Sequence, residues 1–164
     1  YLAWLIPWGK PVTLLGATAE DIARAQRELV RVGIERPAAA AAGPDPAAWV
    51  PAGQRLRSNG VAGFGELAGV FTTARTGMTL LDVRRDSERA QAHIPGSVHI
   101  PVHQLPQRTA EVPRGIVWVH CTSGIRAAIA ASFLDAVGRE VVVVDDAFDS
   151  AAGAGLAVAR TAAA

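Results

Sequence analysis

Cysteine, lysine, methionine and tyrosine each occur once in these 164 residues. A single cysteine excludes an internal disulfide and a cysteine-based zinc site. It also suits a reducing compartment, so a cytoplasmic location is expected. Lys10 is the only lysine, which leaves little room for Schiff-base chemistry. No charge of one sign dominates: 16 basic against 15 acidic residues give +1. That balance excludes a strongly basic nucleic-acid binder, and no nucleic-acid partner is expected. No apolar run approaches the roughly 20 residues that span a bilayer, so no membrane partner is expected either. The apolar opening Tyr1 to Pro7 lacks a basic segment and a cleavage site and does not read as a secretory signal. The chain opens on Tyr1 and its only methionine is Met78, the expectation being a piece of a longer protein.

Half of the residues are apolar and 19% are charged. A sizeable core follows, in one ordinary domain or one domain plus a fragment. Two α/β units are legible. In the first, 11–15 reads as a strand ended by Gly16. Thr18 and Asp21 then cap a helix over 19–32 that Gly33 closes. Residues 34–42 have room for a short strand, and 46–49 for a brief helix. Residues 54–59 read as a linker or an incoming edge strand. In the second unit a helix over 64–74 precedes a strand over 79–84. A helical turn over 87–92, a short strand over 98–101, a central strand over 116–120, a helix over 127–137 and a strand over 141–144 follow. Strands alternating with helices predict right-handed crossovers and a parallel sheet covered on both faces.

The chemistry concentrates in Val119-His120-Cys121-Thr122-Ser123-Gly124-Ile125-Arg126-Ala127. A cysteine stands directly after a buried parallel strand and directly before a helix, where open α/β sheets collect ligands. The loop's amides and the helix N-terminus favour an anion there, and hence the thiolate, the reactive form of cysteine. Gly124 lets the backbone curl, and Arg126 is expected as a fixed cation at the lip.

These residues, with Leu81-Asp82-Val83-Arg84 and His93-Ile94-Pro95-Gly96-Ser97-Val98-His99-Ile100-Pro101 before them, resemble the rhodanese homology domain over about 57–158. The resemblance implies a three-layer α/β/α domain with a five-stranded parallel sheet and a sulfurtransferase that needs no cofactor and no metal. Cys121 would carry sulfur as a persulfide, Thr122, Ser123, Gly124, Ile125 and Arg126 would cradle it, and Arg126 would help bind an anionic donor. The donor would be thiosulfate or a low-molecular-weight persulfide, and the acceptor a thiol or cyanide. Related phosphatases and arsenate reductases place five residues between Cys and Arg, whereas four separate Cys121 from Arg126. A non-catalytic binding or regulatory module is the alternative of another class. The chain departs from the family after the last strand, where the usual Gly-Gly and nearby Trp are missing from 146–151. Residues 1–56 resemble a degenerate rhodanese half with Gly16 where a loop cysteine would sit, ahead of an intact domain over 57–164. That order resembles the C-terminal region of metallo-β-lactamase–rhodanese fusions, which carry a metallo-hydrolase domain upstream.

Other residues have plainer readings. His93, His99 and His103 read as surface or turn residues, and His120 as a satisfied core or rim histidine. Asp82 and Arg84 either border the pocket or hold the loop. Gly60, Gly63 and Gly65 read as turns. Asp145, Asp146 and Asp149 read as capping residues, and Trp4, Trp8 and Trp49 as packing residues.

Overall fold

The computed structural model describes residues 5–73 and 77–161. Trp4 and Ala74, which the sequence assigns to packing and to a helix end, lie outside the described residues. The chain divides into two compact units, Tyr1–Ser58 and Asn59–Ala164.

The first unit is a β–α–β crossover. Strand β1 (Thr13–Gly16) pairs in parallel with β2 (Ala39–Ala42) through helix α1 (Ala19–Arg31). The predicted cap is present in full. Thr18 Oγ1 accepts from the Asp21 amide at 3.1 Å, and Asp21 Oδ2 accepts from the Thr18 amide at 3.2 Å. Two of the helix's orphan donors are satisfied in this way. Pro46–Trp49 forms a single 3-10 turn capped by Asp45.

The second unit is built on five parallel strands. They are β3 (Gly60–Ala62), β4 (Met78–Asp82), β6 (Val98–His99), β7 (Ile116–His120) and β8 (Val141–Val144), in the order β3-β8-β7-β4-β6. Helices α2 (Phe64–Thr73), α3 (Asp86–Gln91), α4 (Leu105–Arg108) and α5 (Ile125–Ala136) connect them. Strands β5 (Ala92–His93) and β9 (Ala159–Arg160) form a separate antiparallel pair. The near-continuous apolar runs of β7 and β8 suit strands covered on both faces. Val117, Val119, Val141, Val143 and Val144 are buried. One core cluster packs Phe64 and Leu67 of α2 against Leu80, Trp118 and Val144 of the sheet, with Phe148 and Leu156 closing it. Gly115, at φ +113°, brings its α-carbon so close to the Gly77 carbonyl that a side chain would collide with it. That close approach sets β7 beside β4.

Two expectations change. The edge strand is Gly60–Ala62 rather than 54–59, and it takes in Gly60, which the sequence assigns to a turn. The ladder to Val142–Val144 decides this, with Gly60 lying against Val142. Gly65 is helical, inside α2. The stretch after β8 that departs from the family pattern holds a 3-10 turn, Phe148–Ser150.

Candidate active site

Strand β7 ends at His120, and Cys121 begins a loop that becomes α5 at Ile125. Gly124 caps that helix at φ +83°. A β-carbon at 124 would collide with the Asp145 carboxylate, so both the backbone and the neighbouring strand end favour glycine. The loop is fastened from outside: the Phe148 amide donates to the Thr122 carbonyl at 3.0 Å. Cys121 is 1% exposed, and the Ser123 amide lies 3.5 Å from its Sγ. That contact is within reach for a weak N–H···S bond. Thr122 and Ser123 are exposed at the turn, and Ile125 presents 62% of its surface to solvent.

Arg126 is buried, at 7% exposure, and is not an open cation at a lip. Its two terminal nitrogens donate to Glu88 at 2.6 and 2.7 Å, and one also donates to Thr122 Oγ1 at 2.7 Å. The Thr122 hydroxyl donates in turn to Glu88 Oε1 at 2.6 Å. A carboxylate on α3 therefore latches the loop and the first turn of α5 through a bidentate, charge-assisted pair. The Arg126 hydrogen bonds are the main cause that holds the Glu88 carboxyl down at about 2. Burial opposes them and the Thr122 hydroxyl assists.

Asp82 and Arg84 lie beneath this loop, side chains almost wholly buried. Arg84 Nε and Nη2 donate to the two Asp82 oxygens at 3.0 and 2.7 Å, and Nη2 also donates to the Ala92 carbonyl at 2.8 Å. Burial alone would raise the Asp82 carboxyl. The Arg84 hydrogen bonds and charge outweigh it and leave the group below its ordinary value. The Arg84 guanidinium sits 3.6 Å from the centroid of the Phe148 ring, and Phe148 holds Thr122. The pair is thus joined to the loop through that ring and offers no solvent-facing charge.

His120 is fully buried, as a core histidine should be, but it is not satisfied. Neither ring nitrogen has a hydrogen-bond partner among the described residues. Its ring stacks on Phe148 at 5.5 Å and meets Phe64 edge-on at 5.8 Å. Asp82 Oδ2 is 3.8 Å from Nε2, yet burial dominates and pushes the imidazole down to about 4, so it is neutral near pH 7. Elsewhere His99 Nε2 sits 2.9 Å from the Arg84 carbonyl. Asp146 accepts from the Phe64 and Ala147 amides, whereas the Asp145 carboxylate lies against Gly124 and, among the described residues, caps nothing.

Two residues of this arrangement escape sequence reasoning. Glu88 is 38 positions from Arg126, and only its place in the first turn of a helix after the Asp82–Arg84 strand hints at a role. Phe148 is the one large apolar residue in Asp145-Asp146-Ala147-Phe148-Asp149-Ser150, which could have marked it as an anchor. Among the described residues no group of three or more His, Cys, Asp or Glu could hold a metal ion, and no helix is long and apolar enough to cross a membrane.

The sequence matches the family described as Rhodanese-like domain over residues 71–153. It is 38% identical over 56 residues to a protein of Allochromatium vinosum named sulfurtransferase, covering 34% of this chain and 52% of that one. A crystal structure of a rhodanese-like domain protein from Staphylococcus aureus superposes with a TM-score of 0.54 at 25% identity, over 60% of this chain and 96% of that one. The matches take in 36%, 52% and 65% of three curated relatives, so the chain spans less than two thirds of each.

Proposed function

The chain belongs to the rhodanese-like domain family, and on that premise we propose that it is a sulfurtransferase working by double displacement at Cys121. The observation that carries this reading is the placement of the lone thiol. Cys121 stands at the carboxyl end of the central strand, next to the Ser123 amide, in a loop closed after four intervening residues by an arginine that Glu88 pins. The Cys121 thiolate attacks the outer sulfur of thiosulfate or of a low-molecular-weight persulfide. The sulfur–sulfur bond of the donor breaks and sulfite or a thiolate leaves with its electron pair. The sulfur then sits on Cys121 as a persulfide until a thiol or cyanide acceptor removes it, restoring the thiolate. No net oxidation occurs and no cofactor is required. Thr122, Ser123, Gly124, Ile125 and Arg126 supply the ring of amides that steadies the transferred sulfur's charge. Arg126 acts there chiefly by shaping the ring, because its charge is matched by Glu88.

The loop length supports this reading over a phosphatase or arsenate reductase. Four residues between Cys121 and Arg126 make a tighter ring than the five used to enclose a tetrahedral oxyanion. We read residues 1–56 as a degenerate rhodanese half. The parallel β1–α1–β2 crossover ends its first strand at Gly16, where a loop cysteine would stand. That reading goes with a cytoplasmic parent protein carrying a metallo-hydrolase domain upstream. The test is turnover: thiocyanate formation from thiosulfate or glutathione persulfide plus cyanide, beside Cys121→Ser. Turnover with either donor that the variant lacks is the expected result. A folded protein inert toward both donors leaves a non-catalytic binding module in its place.

A further inference from the structure

We propose that Phe148 is a positioning residue for Cys121: its backbone amide turns the Thr122–Ser123 peptide so that the Ser123 N–H faces the reacting sulfur. The proposal rests on the sulfurtransferase reading and adds a residue to that site. Two hydrogen bonds to a single peptide unit carry it. The Phe148 amide donates to the Thr122 carbonyl at 3.0 Å, and the Ser123 amide donates toward Cys121 Sγ at 3.5 Å. The Thr122 C=O and the Ser123 N–H belong to the same planar trans peptide and point in opposite directions. Holding the carbonyl outward, on the turn after β8, therefore holds the N–H inward, on the sulfur. A peptide rotated the other way would aim a carbonyl oxygen at the thiolate in place of a donor.

The place of the Phe148 amide is fixed from several sides. Phe148 is the first residue of the 3-10 turn Phe148–Ser150, so its N–H has no acceptor within the turn and is left for the loop. Its ring is buried beside Phe64 and stacks on His120, with the Arg84 guanidinium over its face at 3.6 Å. Asp146 accepts from the Phe64 and Ala147 amides and so ties the start of the turn to α2. The aromatic side chain thus serves, through core packing, to place a backbone donor.

The Glu88 latch does not do this work. It holds the Thr122 hydroxyl and Arg126, and the Thr122–Ser123 peptide can turn about its flanking bonds while that hydroxyl stays in place. Phe148 supplies the constraint on that rotation. The two hydrogen bonds also reinforce each other, because an amide whose carbonyl already accepts is a stronger donor. The gain is largest when the sulfur is charged, since a hydrogen bond to an anion is stronger than one to a neutral acceptor.

The test separates the N–H from the ring. Phe148→Ala removes the ring and keeps the N–H, whereas Phe148→Pro removes both. Proline suits the first position of a helical turn, and Ala147, at φ −72° and ψ 128°, has the extended backbone that a residue before proline adopts. In the full chain, alkylation of Cys121 by iodoacetamide is followed across neutral and alkaline pH, and sulfur loading from thiosulfate and glutathione persulfide is read separately by intact mass. The expected result is a Phe148→Pro rate profile displaced to higher pH, with alkylation near neutral pH about fivefold slower than in Phe148→Ala. A loop that has only loosened would change the limiting rate at alkaline pH and leave the profile where it is. Superimposable profiles overturn the role of the Phe148 amide, and sulfur transfer stands if the wild-type chain still loads. Displaced profiles with no loading of the wild-type chain uphold the amide's role and overturn sulfur transfer. Should the variants fail to fold, NMR of the wild-type chain decides. A scalar coupling across the hydrogen bond from the Phe148 nitrogen to the Thr122 carbonyl carbon is expected, with a shift of the Ser123 amide proton when Cys121 is alkylated. The absence of either signal overturns the proposal.

Discussion

His120 makes the stability of this protein depend on pH in a window where few other groups act. The perturbation is mild acidification. In the folded chain burial holds the imidazole at about 4, whereas in the unfolded chain it returns to its ordinary 6.5. Between those values the unfolded chain binds a proton that the folded chain refuses. The sign follows from linkage: stability is complete above 6.5 and falls as the pH drops toward 4. From pH 7.5 to pH 5 the loss from this single group is about 2 kcal/mol. Glu88 and Asp82 contribute nothing in that window, because depressed carboxyls lose their stabilisation only below their ordinary values. Urea unfolding slopes run at about 1–3 kcal/mol per molar. The midpoint should therefore move down by about 1 M between the two pH values. His120→Phe preserves the ring stack on Phe148 and removes the titrating group, so its midpoint should be nearly independent of pH over the same interval. A wild-type midpoint that does not move, or a variant that moves as far as the wild type, refutes the picture of a neutral, partnerless imidazole in the core.

The other predictions concern the loop. Glu88→Gln strips the charge from the Arg126 latch. Because the Glu88 side chain is partly exposed, a loss of about 1–2 kcal/mol in unfolding free energy is expected, with slower loading of Cys121 by any donor. The same latch predicts that acid reaches it late: its contribution is whole above pH 4.5 and fades as the pH falls toward 2, which NMR of the Arg126 guanidinium protons can follow. Gly124→Ala faces a left-handed backbone penalty of about 1–2 kcal/mol and a collision with Asp145. A lower melting temperature and at least tenfold slower loading should follow. Phe148→Ala empties the core beneath the loop and unroofs Arg84. A loss of about 3–5 kcal/mol is expected by urea unfolding.

The strand and helix order was legible because each apolar run in 116–120 and 141–144 is bounded by Gly, Pro or charge, and because Thr18 and Asp21 spell a capping box. The limits of β3 were not. A three-residue edge strand containing Gly60 takes its identity from the Val142–Val144 ladder, and no local pattern announces it. The cysteine loop was legible from strand, Cys, Gly and helix in series. The pairing of Arg126 was not, because its partner lies on another helix and is set only when β4 and β7 come together. The same holds for His120. Alternation along β7 places it on the Trp118 face, in the core. Its lack of a partner depends on Phe64 and Phe148 filling the space around the ring.

Intact-protein mass spectrometry of the full chain after incubation with a persulfide donor, followed by cyanide, tests sulfur transfer at Cys121 most directly. The expected result is a gain of one sulfur atom that is absent in Cys121→Ser and that leaves as thiocyanate. A folded protein with a free Cys121 thiol that gains no sulfur from thiosulfate or glutathione persulfide would contradict it.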